Sequence, residues 1–233
     1  IEKNMHKAGF VNIVGNPNVG KSTLMNQLVG ERISIATFKA QTTRNRIMGI
    51  VNEDDAQIVF SDTPGVLKPN DKLQESMLAF SESALQDADV LLYVTDVVEN
   101  PEKNKDFLEK VAKMSIPVLL LINKIDESDQ KTLGNLVERW HGLLPNAEIL
   151  PISAKNKFGI DVLLKRIKEL LHESPAFFDK DQLTDKPARF FVSEIIREKI
   201  LRYYDKEIPY SVEVGVERFK EEDKLIHINA VIY

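Results

Sequence analysis

Short apolar runs alternate with amphipathic segments along most of the chain, and this alternation predicts an α/β fold. The apolar runs are almost continuous, as in strands buried on both faces, and they predict six strands: Phe10–Val14, Arg46–Val51, Gln57–Ser61, Val90–Thr95, Val118–Ile122 and Glu148–Ile152. Between them, helical spacing predicts five helices: Lys21–Val29, Lys72–Gln86, Glu102–Met114, Lys131–Leu143 and Ile160–His172. This order favours a mostly parallel six-stranded sheet with helices on both faces, whose ligand lies beyond the carboxyl ends of the strands.

The pattern changes after His172. Residues 173–189 contain two prolines and no clear period, which indicates a linker, and Phe177 and Phe178 indicate that it packs against other parts of the chain. The residues that follow predict one helix and two strands with a charged turn between them: Phe190–Tyr204, Tyr210–Arg218, Leu225–Tyr233 and the turn Lys220–Lys224. We therefore expect one complete domain over residues 7–172 and an incomplete α+β unit over residues 190–233.

Composition narrows the class of protein. The 233 residues are 43% hydrophobic and 29% charged, which is typical of a globular protein and excludes collagen-like and disordered chains. There is no cysteine, which excludes a disulfide framework, a thiolate zinc site and a cysteine nucleophile. The longest apolar run, Pro117–Ile122, is far shorter than the ~20 residues of a membrane span. A net charge of −5 gives no bulk attraction to nucleic acid or anionic lipid, although a local basic face stays open.

A phosphate-binding loop pattern, G-x-x-x-x-G-K-S, lies between the first predicted strand and the first predicted helix. Its glycines permit backbone torsions that turn successive N–H groups toward phosphate oxygens, and the start of the helix adds its dipole. Lys21 is expected to reach the β- and γ-phosphates, and Ser22 to ligate Mg²⁺. The expected nucleotide contacts are Gly15, Asn16, Pro17, Asn18, Val19, Gly20, Lys21, Ser22 and Thr23.

A second motif, Asp62-Thr63-Pro64-Gly65, follows the third predicted strand. A carboxylate at a strand end is suited to hold Mg²⁺ through water, and Gly65 lets its N–H approach the γ-phosphate. Such a turn after a strand is common by itself, and it indicates a nucleotide site only together with the phosphate loop upstream.

A third motif, Asn123-Lys124-Ile125-Asp126, follows the fifth predicted strand and indicates which base is bound. The Asp126 carboxylate is suited to accept from guanine N1–H and the exocyclic amine, whereas adenine would leave a buried carboxylate unpaired. The Lys124 stem is expected to cover one face of the base, and Asn123 to tie this loop to the phosphate loop.

A fourth motif, Ser153-Ala154-Lys155, follows the last strand of the predicted sheet. A small residue here lets a backbone N–H approach guanine O6. The tripeptide is uninformative alone, and it gains weight from its position after Asn123.

A polar segment, Gln41–Arg44, lies between the first two motifs. A threonine here is suited to complete the magnesium shell while the γ-phosphate is present and to leave it after hydrolysis. We favour Thr43 over Thr42, although the sequence does not fix the register and a plain polar loop remains the alternative. The expected metal ligands are thus Ser22, Thr43 and Asp62, and the expected catalytic residues are Asn18, Lys21, Thr43 and Gly65.

These four ordered motifs resemble those of translation-factor-type GTPases. GNPNVGKSTLMNQLVG, KAQTTR, DTPGV and the α-β-β tail more specifically resemble the Era family of bacterial ribosome-assembly GTPases. The resemblance implies a Ras-like P-loop GTPase domain followed by a type II KH domain that binds the 3′ end of small-subunit rRNA in the 30S subunit. It also implies GTP and GDP as ligands with Mg²⁺, a cytoplasmic location and peripheral contact with the inner membrane surface; we expect a monomer.

One departure from the Ras-like pattern concerns hydrolysis. Val66 stands where many Ras-like proteins carry a glutamine that orients the attacking water. Related GTPases with this substitution use a potassium ion held partly by an asparagine of the phosphate loop, and Asn18 lies at the matching position. We expect slow, K⁺-stimulated hydrolysis; the alternative is that Asn18 is only a turn residue.

A second departure concerns RNA. A KH domain clamps nucleic acid with a G-x-x-G loop, and residues 190–233 contain none, since the family places it further downstream. From Lys180 onward there are 10 basic and 11 acidic residues, and we expect Arg197 and Arg202 to lie on a solvated helix face. The chain is therefore expected to bind nucleotide well and RNA poorly.

Three other interpretations of the function are compatible with the sequence. One is an ATPase or metabolite kinase, against which Asp126 argues. Another is a membrane-associated regulatory GTPase whose tail is a protein-interaction module. The last is a nucleotide-binding protein that never hydrolyses GTP.

Overall fold

A computed structural model describes residues 5–37, 39, 41–65 and 68–233. Its strands are Lys7–Gly15 (β1), Ile47–Asn52 (β2), Ala56–Asp62 (β3), Val90–Asp96 (β4), Val118–Asn123 (β5), Glu148–Pro151 (β6), Val214–Glu222 (β7) and Leu225–Ile232 (β8). Its α-helices are Lys21–Val29 (α1), Lys72–Gln86 (α2), Lys105–Ala112 (α3), Gln130–Leu143 (α4), Ile160–Leu170 (α5), Ala188–Tyr203 (α6) and Ile208–Ser211 (α7). None of the helices among these residues is long and apolar enough to cross a bilayer.

The first six strands form one sheet in the order β2-β3-β1-β4-β5-β6. Only β2 runs antiparallel to its neighbour, so the predicted mostly parallel six-stranded sheet is confirmed. Its register pairs Ile13 with Asp62 and Asp96 with Asn123, near the carboxyl ends of four different strands. The loops that follow β1, β3, β4 and β5 therefore open at the same edge of the sheet, which is where such sheets bind ligands.

Two apolar clusters cover the two faces of this sheet. One joins the sheet to α1 and α5 through residues such as Leu24 and Leu163, and the other joins it to α3 and α4 through Phe107 and Trp140. The Trp140 ring lies 5.7 Å from that of Tyr93 and is almost completely buried. Each fully buried side chain of this size contributes roughly 1.5–3 kcal/mol of transfer free energy, so the core holds the loops on a rigid base.

The segment after α5 packs against the edge strand β2 and its neighbour β3. Packing of this segment was expected from Phe177 and Phe178. Gln57 of β3 is fully buried, and its Oε1 accepts from the backbone N–H groups of Phe177 and Phe178 at 2.7 and 3.0 Å. Further along, the Ile50 N–H of β2 donates to the Leu183 carbonyl at 2.8 Å. The open edge of β2 is thus covered by the chain itself, which is how many proteins protect an edge strand.

The structure corrects the predicted helix Glu102–Met114. It begins as a 3₁₀ turn at Pro101–Asn104, and α3 ends at Ala112. The Asn100 side chain accepts from the Glu102 N–H at 3.1 Å, and Pro101 fits the first position of a helical turn because it has no N–H to satisfy.

The predicted strand Tyr210–Arg218 is wrong at its start. Residues 208–211 form the short helix α7, which has Pro209 in its first turn, and β7 begins only at Val214. The strand then continues to Glu222, so the predicted turn Lys220–Lys224 shrinks to Asp223 and Lys224. The β7–β8 hairpin pairs Glu222 with Leu225 across this two-residue turn, which is the commonest length for a hairpin connection.

The prediction that Arg197 and Arg202 lie on a solvated face of α6 is wrong for Arg197. Ile195 is 52% exposed, whereas Arg197 is only 4% exposed and therefore does not lie on a solvated face. Glu194 and Glu198 are buried beside it. Arg202 is exposed, as expected for the solvated face.

Candidate functional site

The phosphate loop joins β1 to α1 in a backbone conformation that depends on its glycines. Gly20 has φ +95°, and a Cβ atom there would lie 2.3 Å from Asn123 Nδ2. A Cβ atom at Gly15 would lie 2.2 Å from the Val94 carbonyl oxygen. Asn18 also has a positive φ, 65°, which asparagine tolerates better than most residues. The loop thus turns its backbone inward with no side chain in the way.

Lys21 begins α1 and points back into this loop. Its Nζ donates to the Asn16 carbonyl at 2.6 Å, and its side chain is buried. Burial lowers the pKa of Lys21 to about 8, against the opposing fields of Asp62 and Glu99. A Cβ atom at Gly65 would lie 2.7 Å from Lys21 Nζ, so the second motif reaches the lysine and only glycine fits there.

Four oxygen-bearing side chains meet next to Lys21. Ser22 Oγ lies 2.8 Å from Asp62 Oδ2 and 3.0 Å from Thr43 Oγ1, and Ser34 Oγ donates to the same carboxylate oxygen at 3.0 Å. Asp62 is fully buried, and burial raises the pKa of its carboxyl. Its Oδ1 has no hydrogen-bond partner among the described residues.

The structure brings Thr43, rather than Thr42, to this cluster. Thr42 Oγ1 instead lies 2.6 Å from Thr37 Oγ1 and 2.6 Å from the Lys39 carbonyl. Gln41, directly before the two threonines, has a positive φ of 57°, and the Thr42 and Thr43 hydroxyls contact different groups.

The rest of the second motif is held by its neighbours. Thr63 Oγ1 donates to the Ile13 carbonyl of β1 at 2.8 Å, and Ser81 Oγ of α2 donates to the Pro64 carbonyl at 3.0 Å. Thr63 and Pro64 therefore fix the turn rather than face the open space. Val66, the residue expected to replace the water-orienting glutamine, lies outside the described residues.

Asn123 links three of the predicted motifs. Its Nδ2 donates to the Val19 carbonyl of the phosphate loop, and its Oδ1 accepts from the Ala154 N–H, both at 2.9 Å. The side chain is buried, so both bonds are shielded from water. The amide therefore holds the phosphate loop and the Ser153–Lys155 loop at fixed positions around the end of β5.

Lys124 and Asp126 lie on the open side of this junction. Lys124 Nζ donates to the Asn18 carbonyl at 2.6 Å and pairs with Asp96 Oδ2 at 2.8 Å. Asp126 is exposed and its Oδ1 accepts from Ser153 Oγ at 2.6 Å, a bond that lowers the pKa of the carboxyl. Asp126 is therefore ionised and accessible at neutral pH.

All the motifs surround one cavity of about 380 Å³, large enough for a nucleotide. The predicted residues that line it are Pro17, Asn18, Gly20, Lys21, Ser22, Thr23, Thr43, Gly65, Asn123, Lys124, Asp126, Ala154 and Lys155. The others do not line it and lie behind this wall: Gly15, Asn16, Val19, Asp62, Thr63, Pro64 and Ser153.

Sequence reasoning missed two acidic residues at the carboxyl end of β4, Asp96 in its last position and Glu99 just after it. Glu99 accepts from Asn16 Nδ2 of the phosphate loop and from Thr95 Oγ1, the latter at 2.6 Å, and burial raises the pKa of its carboxyl. Asp96 forms the ion pair with Lys124 described above. The signal that was available is a D-x-x-E sequence that begins at the last residue of a buried strand whose carboxyl end meets the cavity.

Known proteins resemble the chain over nearly its whole length. A family model described as 50S ribosome-binding GTPase matches residues 10–124. GTPase Era from Lactobacillus delbrueckii subsp. bulgaricus is 44% identical over 230 residues, which cover 98% of this chain and 76% of that relative. The chain belongs to the Era family of GTPases. This confirms the family resemblance and the expectation that the protein is a GTPase.

Two solved Era structures resemble the fold. A variant of Era from Aquifex aeolicus bound to GDP and AlF₄⁻ has a TM-score of 0.90 at 38% identity and covers 97% of this chain and 78% of its own. Era in complex with MgGDPNP and nucleotides 1506–1542 of 16S ribosomal RNA has a TM-score of 0.91 with the same identity and coverage. The Ras-like P-loop GTPase fold is confirmed, and the chain spans about three quarters of the length of these Era-family relatives.

Proposed function

We propose that this protein is a GTP-dependent switch whose GTP- and GDP-bound states differ in their affinity for partners. The observation that carries the proposal is that one cavity is lined by Lys21 and Ser22 of the phosphate loop, by Gly65, and by Asp126 of the base-selecting loop. An ATPase or small-molecule kinase, one of the rival interpretations of the sequence, would not need an exposed carboxylate fixed where Asp126 lies.

At the phosphate end, Lys21 is assigned to the β- and γ-phosphates. Its Nζ now donates to the Asn16 carbonyl inside the loop, and a bound phosphate offers a stronger, charged acceptor at the same place. The backbone N–H groups of residues 16–22 and the start of α1 complete an anion site. No described residue at this end is placed as a general base, so hydrolysis depends on positioning and on neutralising charge.

The oxygen cluster beside Lys21 fits Mg²⁺. Mg²⁺ in nucleotide sites is held by one or two protein groups together with phosphates and water, and the unpartnered Oδ1 of buried Asp62 is the kind of atom that a bound cation satisfies. We assign Ser22 and Thr43 as direct ligands and Asp62 as a ligand through water. When bound, the ion neutralises charge that develops on the phosphates. The known Era complex with MgGDPNP supports this assignment.

At the base end, Asp126 is assigned to guanine N1–H and the exocyclic amine. Its bond from Ser153 fixes the carboxylate, and Ala154 presents a backbone N–H whose position is set by Asn123. The Lys124 stem covers one face of the base. Adenine would leave these groups unpaired, and this disfavours the binding of ATP.

We further propose that the partner is the 3′ end of small-subunit rRNA in the 30S subunit and that the protein acts in its assembly. The supporting observation is the related Era structure, which contains a 16S rRNA segment. A tail that binds protein during membrane regulation is the alternative. The expected cytoplasmic location, monomeric state and peripheral membrane contact rest on the family resemblance alone.

Base selection is tested by Asp126→Asn. The new side-chain amide places a hydrogen-bond donor opposite a donor of guanine, whereas it matches the groups of xanthine. GTP affinity should therefore fall at least about 10-fold while xanthosine triphosphate affinity rises. Asp129→Asn is the matched control, since Asp129 caps α4 through the Thr132 N–H and asparagine caps equally well. Titration calorimetry with both nucleotides measures the shift. Wild-type protein that turns over ATP as fast as GTP would refute the assignment.

We also propose that K⁺ stimulates GTP hydrolysis, as expected from the sequence. Phosphate release measured in KCl and in NaCl at equal ionic strength tests this proposal. Because we assign Asn18 to a K⁺ ion that takes the place of a water-orienting residue, wild-type turnover should be several-fold faster in KCl. Asn18→Asp should change this ion preference more than GDP affinity. Equal turnover of the wild-type protein in both salts would contradict the proposal.

RNA binding is tested with the 233-residue chain and with a version extended by the C-terminal remainder of the Lactobacillus relative. The extended protein with a GTP analogue should bind a 3′-end 16S rRNA segment more tightly than a scrambled RNA of equal length. The 233-residue chain should bind it at least about 10-fold more weakly, since it lacks a G-x-x-G clamp. Fluorescence anisotropy measures both. No preference by the extended protein would count against an RNA partner.

A further inference from the structure

Helix α6 and the residues after it hold the loop that contains Thr43 at successive points. Arg32 pairs with the buried Glu198, Lys39 pairs with Asp205 at 2.9 Å, and Arg202 Nη2 lies 3.5 Å from the Ala36 carbonyl. These contacts join positions more than 160 residues apart in sequence. The loop between α1 and β2 is therefore docked on the tail, not only on the sheet.

Arg197 makes the most buried of these contacts. Its guanidinium forms a two-pronged pair with Glu194 at 2.9 and 2.7 Å. The same group donates to the Gln41 carbonyl at 3.1 Å and to the Thr42 carbonyl. With only 4% of Arg197 exposed, these bonds are shielded from water, and a charged donor on a neutral carbonyl is strong in such surroundings. Both carbonyls belong to the two residues directly before Thr43.

The residue directly after Thr43 is held as well. Arg44 donates to the carbonyls of Tyr210 and Val212 at 3.1 and 3.2 Å. Burial and the nearby charge of Arg197 lower the pKa of the Arg44 guanidinium. Thr43 thus lies between backbone carbonyls that bind the tail, at Gln41 and Thr42, and a side chain that binds it, at Arg44.

We propose that Arg197 is a positioning residue that sets the Thr43 hydroxyl toward Mg²⁺ and so couples the docking of α6 to the presence of the γ-phosphate. The proposal rests on the proposed function, in which Thr43 ligates Mg²⁺ when GTP is bound. In this structure Thr43 Oγ1 already lies 3.0 Å from Ser22 Oγ, the other assigned ligand. Binding linkage then requires the reverse effect, so that GTP with Mg²⁺ strengthens the docking of α6 on the loop.

A purely structural role for Arg197 predicts a different pattern. If the residue only stabilised the fold, its loss would weaken GDP and GTP-analogue binding alike. If it positions Thr43, its loss should weaken mainly the Mg²⁺-dependent binding of the triphosphate, because GDP has no γ-phosphate to bring Thr43 to the ion.

The test measures the affinities of GDPNP and GDP across a range of Mg²⁺ concentrations. Arg197→Lys keeps a positive charge beside Glu194 but removes the fork that reaches two carbonyls. It should weaken Mg²⁺-dependent GDPNP binding at least about 5-fold and change GDP binding less than about 2-fold. Arg189→Lys, at an exposed arginine in the first turn of α6, is the matched control and should match the wild type.

Thr43→Ala, alone and combined with Arg197→Lys, distinguishes the assigned magnesium ligand from the proposed coupling to α6. Thr43→Ala should weaken GDPNP binding, and adding Arg197→Lys should weaken it no further, because both changes remove the same interaction. No effect of Thr43→Ala would refute the assigned magnesium ligand. A normal Thr43→Ala effect with additive losses in the double variant, or equal losses for GDP and GDPNP in Arg197→Lys, would refute only the coupling.

A second variant guards against misfolding. Replacing only the arginine by a neutral residue would leave Glu194 buried and unpaired, which is strongly destabilising. Glu194→Gln combined with Arg197→Gln removes both charges, and it should show the same selective loss of GDPNP binding. An unchanged GDPNP affinity in this pair would overturn the proposal.

Discussion

The Asn123 side chain joins loops that come from distant parts of the sequence. Its single amide donates to the phosphate loop at Val19 and accepts from Ala154, and it stands at the carboxyl end of β5, the strand next to the edge strand β6. Each partner is a buried backbone group, and leaving such a group unpaired costs about 1–3 kcal/mol. The phosphate and base ends of the cavity therefore keep a fixed separation, which is what recognition of a whole nucleotide requires.

The charges of the cavity are arranged for a ligand that brings both negative charge and a cation. Burial lowers the pKa of Lys21 and raises the pKa of Asp62, so both ionised forms are disfavoured in the absence of a partner. In the proposed function, a nucleotide phosphate would supply the counter-charge to the lysine, and Mg²⁺ would supply it to the carboxylate. Binding of the two together would then relieve two opposite electrostatic costs at once.

Motifs whose chemistry depends on local backbone were predictable from the sequence. Gly15 and Gly20 are dictated by torsion and close approach, and the continuous apolar strands place the motifs at one edge. The choice between Thr42 and Thr43 was not fixed by the sequence, because it depends on the positive φ of Gln41 and on hydrogen bonds from Arg197, which is 156 and 155 positions away from the residues it binds. The buried acid–base pairs of α6 were missed for the same reason, since period alone counts Glu194 and Arg197 as solvent-facing.

Arg197 of the tail bonds to Gln41 and Thr42, which line the cavity, whereas no described residue of the tail lines it. Hydrogen–deuterium exchange of the α6 amides, compared between protein saturated with MgGDP and with MgGDPNP, tests this link most directly. The account predicts slower exchange at Ile200–Tyr203 with MgGDPNP, because a γ-phosphate that fixes Thr43 also favours the docked position of Arg197. Identical exchange of α6 in the two states, with residues 41–44 protected only by MgGDPNP, would contradict it.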